Sequence, residues 1–242
     1  MTPKTIVAFA AHPDDVELSC SGTLIKHAKA GHKCVVVDLT RGELGTRGNA
    51  DLRDKEAAEA SKIMGLAARH NLEMSDGFFE VNTENTMKII REIRYFKPDI
   101  ILANAPEDRH PDHGKGAELV KKAAFYSGLR KIETEYNGEA QQPHRPAALY
   151  HYIQDYYLKP DFVVDIEDLW SEKLKSIAAY SSQFYTGDSK NTNEPKTPIS
   201  SKAFIDFLEG RAGQFGRIIN KQYAEGFIAA RTPGVAELTA LI

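Results

Sequence analysis

Four short strand-like runs, at residues 5–10, 34–39, 71–74 and 99–103, alternate with stretches of helical periodicity, and this alternation restricts the chain more than any other feature. Strand, crossover helix and next strand pack only as a mostly parallel sheet with helices on its faces. The run Ile6-Val7-Ala8-Phe9-Ala10 has no polar position, as a strand buried on both sides requires. Residues 17–30 place Leu18, Leu24, Ile25 and Ala28 on one helical side and stop at Gly31. Residues 51–66 repeat Ala57, Ala60, Ile63 and Met64 at helical spacing, and a further helix over 85–96 ends before Pro98. We therefore expect a single α/β domain over residues 1–242, with a mostly parallel central sheet flanked by helices.

The second half is less regular. Residues 148–153 and 162–166 read as strands, and 167–180 as a helix with Trp170, Leu174, Ile177 and Ala178 on one side. Residues 133–147 are polar and proline-bearing, which predicts a loop. Residues 186–200 are rich in Thr, Ser, Asn, Gly and Pro, and so long a loop in a compact domain is a candidate lid. A last helix over 201–222 contains Gly210, Gly213 and Gly216, each costing roughly 1 kcal/mol relative to Ala, so they mark a break or a close contact.

A chain of 242 residues can bury one large core. Its net charge of −3, with Lys and Arg scattered, gives no reason to expect nucleic acid or an anionic membrane, and leaves a small molecule as the expected partner. No apolar stretch is long enough to span a bilayer. No basic leader precedes the first strand, and the two cysteines, Cys20 and Cys34, form no CxxC; we expect a cytoplasmic protein.

The chemistry concentrates where two strands stop. His12-Pro13-Asp14-Asp15 follows the first strand, and His110-Pro111-Asp112-His113 follows the fourth. Pro13 biases His12 toward extended backbone, and Asp14, Asp15 and Glu17 fall at a helix start, where the macrodipole favours negative charge. Either run alone could be an ordinary capped helix. Two caps both carrying His and Asp, both at carboxyl ends of strands where α/β sheets bind ligands, point to a shared metal site. A catalytic zinc keeps three protein ligands and an open position. His12, Asp15 and His113 are the favoured set, with Asp14 and His110 left for chemistry; His110 as a fourth ligand would close the site. Arg53, near a helix start, would suit an anion in the crevice or pair with Glu56.

Ala11-His12-Pro13-Asp14-Asp15-Val16-Glu17 and His110-Pro111-Asp112-His113 resemble the two signature motifs of the PIG-L (LmbE-like) zinc-dependent de-N-acetylases. The run from Thr40 to Gly48, with Arg53 and Glu56-Ala57, the run from Tyr180 to Phe184, and the run from Lys221 to Phe227 extend the likeness. The combination is most similar to the bacillithiol-pathway branch, which deacetylates N-acetylglucosaminyl-malate. That resemblance implies a Rossmann-like fold and a metal, zinc or ferrous iron, bound by His12, Asp15 and His113. It also implies Asp14 as general base, His110 as stabiliser of the oxyanion or proton donor to the amine, and Asp112 as the group orienting a histidine. By the same resemblance Glu43 would hydrogen-bond sugar hydroxyls and the assembly would be a homo-oligomer; Arg109, beside the second run, would meet a carboxylate of the substrate, as Arg53 would from its helix start. The alternative substrate is another amino sugar of the diacetylchitobiose kind.

Two other classes of function fit the residues less well. A dinucleotide-binding module needs glycines in the first strand–helix turn, where this chain has His-Pro-Asp-Asp. A zinc-stabilised binding module would unfold without its metal.

Overall fold

The computed structural model describes residues 2–185, 187 and 195–240. In chain order the elements are β1 (Thr5–Ala10), α1 (Asp15–Ser19), α2 (Ser21–Lys29), β2 (Lys33–Thr40), α3 (Ala50–Met64), β3 (Ala68–Met74), α4 (Thr83–Phe96), β4 (Ile100–Ala103) and α5 (Pro111–Tyr126). A small hairpin, β5 (Glu135–Tyr136) and β6 (Glu139–Ala140), precedes β7 (Ala148–Tyr152), β8 (Phe162–Asp165), α6 (Trp170–Ala178), α7 (Lys202–Ile218) and β9 (Ala224–Ala229).

Seven strands form one sheet in the order β3-β2-β1-β4-β7-β9-β8. The first five of these are parallel, with Ile6 opposite Cys34 on one side and Ile100 on the other. Strand β9 runs antiparallel to both β7 and β8. The fold is thus the expected α/β sandwich of helices around a mostly parallel sheet. The chain steps outward from β1 to β2 and β3, then returns to β4 on the other side of β1. That reversal opens a crevice beyond the carboxyl ends of β1 and β4.

Period-two alternation splits the core. Val7, Phe9, Val35, Val37 and Ile101 pack on one face against Ile89, Ile90 and Ile93 of α4 and Leu119 and Val120 of α5. Ile6, Ala8, Ala10, Cys34, Val36 and Leu102 pack on the other against Leu24 and Ile25 of α2. Cys20 and Cys34 are buried free thiols. No helix among the described residues is long and apolar enough to cross a membrane.

Three expectations are corrected. The helix read over 17–30 is two helices, broken at Cys20 (φ −141°). The break is held from far away: Glu225 of β9 accepts the Gly22 and Thr23 amides at 3.0 and 2.7 Å and so caps α2. The loop read over 133–147 contains the β5–β6 hairpin, turned by Asn137 and Gly138, both at positive φ (52° and 81°). Strand β9 lies beyond the helix read over 201–222, in a segment for which the sequence predicts no element. Its Gly226 faces Phe215, whose ring would stand 2.8 Å from any Cβ.

Helix α7 runs unbroken through its glycines. Gly216 marks a close contact, since a Cβ there would lie 2.6 Å from the Lys221 carbonyl oxygen as the chain doubles back.

Candidate active site

Both His-bearing runs leave the sheet into the same crevice. The end of β1 is tied to its neighbours: the Ala11 amide donates to Asn104 Oδ1 (2.9 Å) and the Ala11 carbonyl accepts from Thr40 Oγ1 (2.8 Å). Asp14 then adopts φ 117°, ψ −24°, a left-handed conformation that costs a non-glycine residue on the order of 1–3 kcal/mol. This turns the buried Asp14 side chain into the cavity while Asp15 begins α1.

Asp15 is the hub. Its Oδ2 accepts the His12 amide (3.0 Å) and Asn104 Nδ2 (2.9 Å). Its Oδ1 lies 3.0 Å from His113 Nε2 and accepts Gln154 Nε2 at 3.2 Å. The His12 ring stands 4.6 Å from that of His110 and 5.6 Å from that of His113, centroid to centroid. His12, Asp15 and His113 are therefore brought together, with Asp14 and His110 beside them.

Carboxylates hold the outer nitrogens. His113 Nδ1 meets Asp108 Oδ2 at 2.5 Å, and Asp108 Oδ1 accepts the Asp155 and Tyr156 amides. His12 Nε2 lies 3.0 Å from Asp76 Oδ1 and 3.4 Å from Asp112 Oδ2, off the line of a hydrogen bond and without another partner among the described residues. Asp112, fully buried, also accepts the Gly77 amide (2.8 Å) and Lys115 Nζ (3.2 Å). His110 Nδ1 accepts the Asp112 amide at 3.3 Å and caps α5.

Two overlapping triads have the spacing of a divalent-metal site; Asp15 belongs to neither and instead meets His113 Nε2 at 3.0 Å and stands 3.7 Å from His12 Nδ1. One donor atom from each of His12, His110 and His113 lies within 4.8 Å of the others, as does one from each of His12, Asp76 and Asp112. Imidazole nitrogens and a carboxylate suit zinc or ferrous iron, and a carboxylate behind each ligating histidine is the usual support.

The electrostatics follow from burial and pairing. Burial pushes the Asp14 carboxyl up to about 7; the Arg53 guanidinium opposes this and Asp15 adds to it. Burial works against a charged His12, but Asp112, Asp15 and Asp76 hold its pKa well above the ordinary value. Burial likewise opposes charge on His113, while Asp15 and Asp108 carry it up to about 9. His110 falls below its ordinary value, through burial and then the charges of His12 and His113.

Around this cluster is a cavity of about 350 Å³. Leu18, Ile199, Phe204 and Leu208 add apolar lining to the His and Asp groups. Arg53 lines it with its guanidinium cradled by Gly42 and Gly45, 3.9 Å from Asp14 Oδ2; any Cβ on Gly42 would lie within 3.1 Å of that guanidinium. Glu56 does not pair with Arg53 but accepts the Ser182 amide and hydroxyl at 2.8 and 2.7 Å. Arg109 lines the rim and pairs with Asp155 at 2.8 Å. Glu43 accepts the Asp76 amide (2.9 Å), while Asp76 accepts that of Leu44 (2.9 Å), so Glu43 fixes the loop rather than lining the cavity. Of the candidate lid, residues 186 and 188–194 lie outside the described residues; Thr197, Pro198 and Ile199 at its far end line the cavity.

The sequence reading missed Asp76, Asn104, Asp108 and Gln154. Asp108 carried a signal, an acid two residues before His110 in a loop already singled out. The other three arrive from strand ends whose neighbours only the sheet order reveals.

Residues 7–124 match the family model PIG-L, GlcNAc-PI de-N-acetylase. A conserved protein of Thermus thermophilus superposes with a TM-score of 0.85 at 31% identity, covering 97% of this chain and 98% of that one. The chain belongs to the PIG-L family. The PIG-L match takes in both His-bearing runs and nearly all of α5. The diacetylchitobiose deacetylase of Thermococcus kodakarensis is 28% identical over 233 residues, 92% of this chain and 82% of the relative. A probable N-acetyl-alpha-D-glucosaminyl L-malate deacetylase 2 of Bacillus anthracis is 23% identical over 196 residues, 76% of this chain and 83% of the relative.

Proposed function

We propose that this protein is a metal-dependent hydrolase that removes the acetyl group from an N-acetylglucosaminide, with one deacetylase domain spanning residues 1–242. The observation that carries the reading is the convergence of His12, Asp15, His113, Asp14 and His110 on one cavity. N-acetylglucosaminyl-malate is the substrate put first, because three arginines line that cavity. Diacetylchitobiose is the second reading, favoured by the alignment of 92% of the chain with a deacetylase of that sugar. We place the enzyme in the cytoplasm as a homo-oligomer; light scattering that returned a monomer mass would refute the latter.

His12, Asp15 and His113 would hold zinc or ferrous iron, which when bound supplies Lewis-acid charge for activating water and polarising a carbonyl. Asp14 accepts the proton of the attacking water on its carboxylate, a role suited to a group poised near neutrality. His110 accepts a backbone amide on Nδ1, so its neutral ring carries the proton on Nε2. That N–H donates to the acetamide oxygen as negative charge develops there. Asp14 then returns its proton to the amide nitrogen, and acetate and the free amine leave. Asp108 fixes the ring of His113, and Asp112 would orient His12 through its charge, 3.4 Å from Nε2. Arg53 offers donors to the departing carboxylate.

The test is acetate release from N-acetylglucosaminyl-malate, diacetylchitobiose and methyl N-acetylglucosaminide by the zinc-loaded protein. Release from at least one is expected; release from none would end the reading.

A further inference from the structure

Helix α7 lies outside the residues matched by the family model, and it brings Arg211 to the cavity wall beside Leu18 and Leu208. Arg211 Nη1 donates to the Gln154 carbonyl, and Nη2 donates to the Leu18 carbonyl at 2.8 Å. A guanidinium has five N–H donors, so about three stay without a partner among the described residues.

Its charge meets the Phe207 ring, 5.6 Å from Cζ to the centroid, but no carboxylate among the described residues. The acids acting on it through space are Glu225, Asp155 and Asp108. Each is committed elsewhere: Glu225 to Lys173 at 2.6 Å, Asp155 to Arg109 at 2.8 Å, and Asp108 to His113 at 2.5 Å. Burial alone pushes the guanidinium down to about 10. Arg211 is half-buried, and a partly desolvated cation without a carboxylate partner is unfavourable, a cost that an anion in the cavity would offset. Of the three arginines lining the cavity, Arg109 has Asp155 and Arg53 stands beside Asp14. Arg211 is the one with no acid partner among the described residues.

Gln154 gives its location relative to the reacting cluster. The side-chain amide of Gln154 touches Asp15 Oδ1 (3.2 Å) and His113 Nε2 (3.4 Å), while the backbone carbonyl of Gln154 holds Arg211. Arg211 therefore stands about one side chain beyond the cluster. In a 2-acetamido sugar the carbon bearing the glycosidic oxygen is bonded to the carbon bearing the amide. With the acetamide among His12, Asp14 and His110, the glycosidic oxygen lies three bonds from the amide nitrogen and the aglycone begins just beyond it, within reach of that wall.

We propose that Arg211 determines aglycone specificity by binding a carboxylate, so that the preferred substrates are N-acetylglucosaminides with an anionic aglycone. This rests on the deacetylase reading above and adds the residue that selects the substrate class.

The test is calorimetric titration of the metal-loaded full chain with two amine products, glucosaminyl-malate and methyl glucosaminide, run beside the acetate-release assay. We expect the wild type to bind the acid at least about tenfold more tightly, the size of one charged hydrogen bond. Arg211→Gln should bring that ratio to about two or below, and Arg211→Lys, which keeps the charge without the fork, should leave it near threefold. Equal affinities in the wild type would overturn the assignment. So would a loss in Arg211→Gln by the same factor for both ligands, which would make Arg211 only a clamp on α7. If Arg211→Gln does not melt cooperatively, an Arg211→Lys ratio equal to that of the wild type overturns it. An acid preference without acetate release from any N-acetylglucosaminide would remove the deacetylase reading and leave the anion site.

Discussion

Asp14 joins two properties that conflict with stability. Its backbone is left-handed at φ 117°, and its carboxyl is buried beside Asp15. Both follow from turning the chain sharply between β1 and α1 so that the carboxylate faces the cavity. Asp14→Asn should keep its metal and lose turnover by roughly 10²–10⁴-fold, whereas His113→Ala should lose both, as metal analysis beside acetate release would reveal. Asp14→Gly should also be inactive yet melt a few degrees higher, since glycine takes positive φ without strain and removes a buried acid. A lower melting temperature would contradict the strain argument. At this scale the sequence was readable where chemistry is local: each run carries its own proline, acids and histidines. It was unreadable where partners come from other strands, as with Asn104 and Gln154 on Asp15.

Elements were legible in proportion to how much of their environment is their own. Strands β1, β2 and β4 are sandwiched between helices, so their continuous apolar runs announce them. Strand β9 carries Glu225 and Gly226, residue types depleted in strands, because its side chains answer to distant groups. Glu225 caps α2 and pairs with the buried Lys173 at 2.6 Å, and Lys173 also donates to the Glu17 carbonyl at 3.1 Å. Removing one member of such a pair leaves a buried charge alone. Glu225→Leu should cost about 3–5 kcal/mol in urea unfolding, and adding Lys173→Met should recover part of it. No recovery in the double variant would mean that the cap on α2, rather than the ion pair, is what Glu225 contributes.

For the molecule as a whole, the core on both sheet faces is assembled without help from the His and Asp cluster. Chelation should therefore abolish acetate release while leaving far-ultraviolet circular dichroism intact; unfolding on chelation would make the metal structural. Acid stability has a separate handle at the amino end of the sheet. Asp99 accepts the Thr5 amide and Lys4 Nζ, both at 2.9 Å, and these contacts hold its carboxyl below the ordinary range. A lowered folded pKa contributes stability above the unfolded value, near 4, and loses it as pH falls through the folded value. Asp99→Asn should lower the melting temperature slightly at pH 7, by no more than about 2 °C at so exposed a site, with the difference vanishing in stronger acid.

The placement of β9 between β7 and β8 has a consequence for biosynthesis. On the ribosome, β8 emerges well before the strand that must separate it from β7. The nascent chain can close its first five parallel strands early, but its far edge and the lock on α2 wait for residues 224–229. Until those residues emerge, β8 lacks its pairing strand and the α2 amides lack their cap.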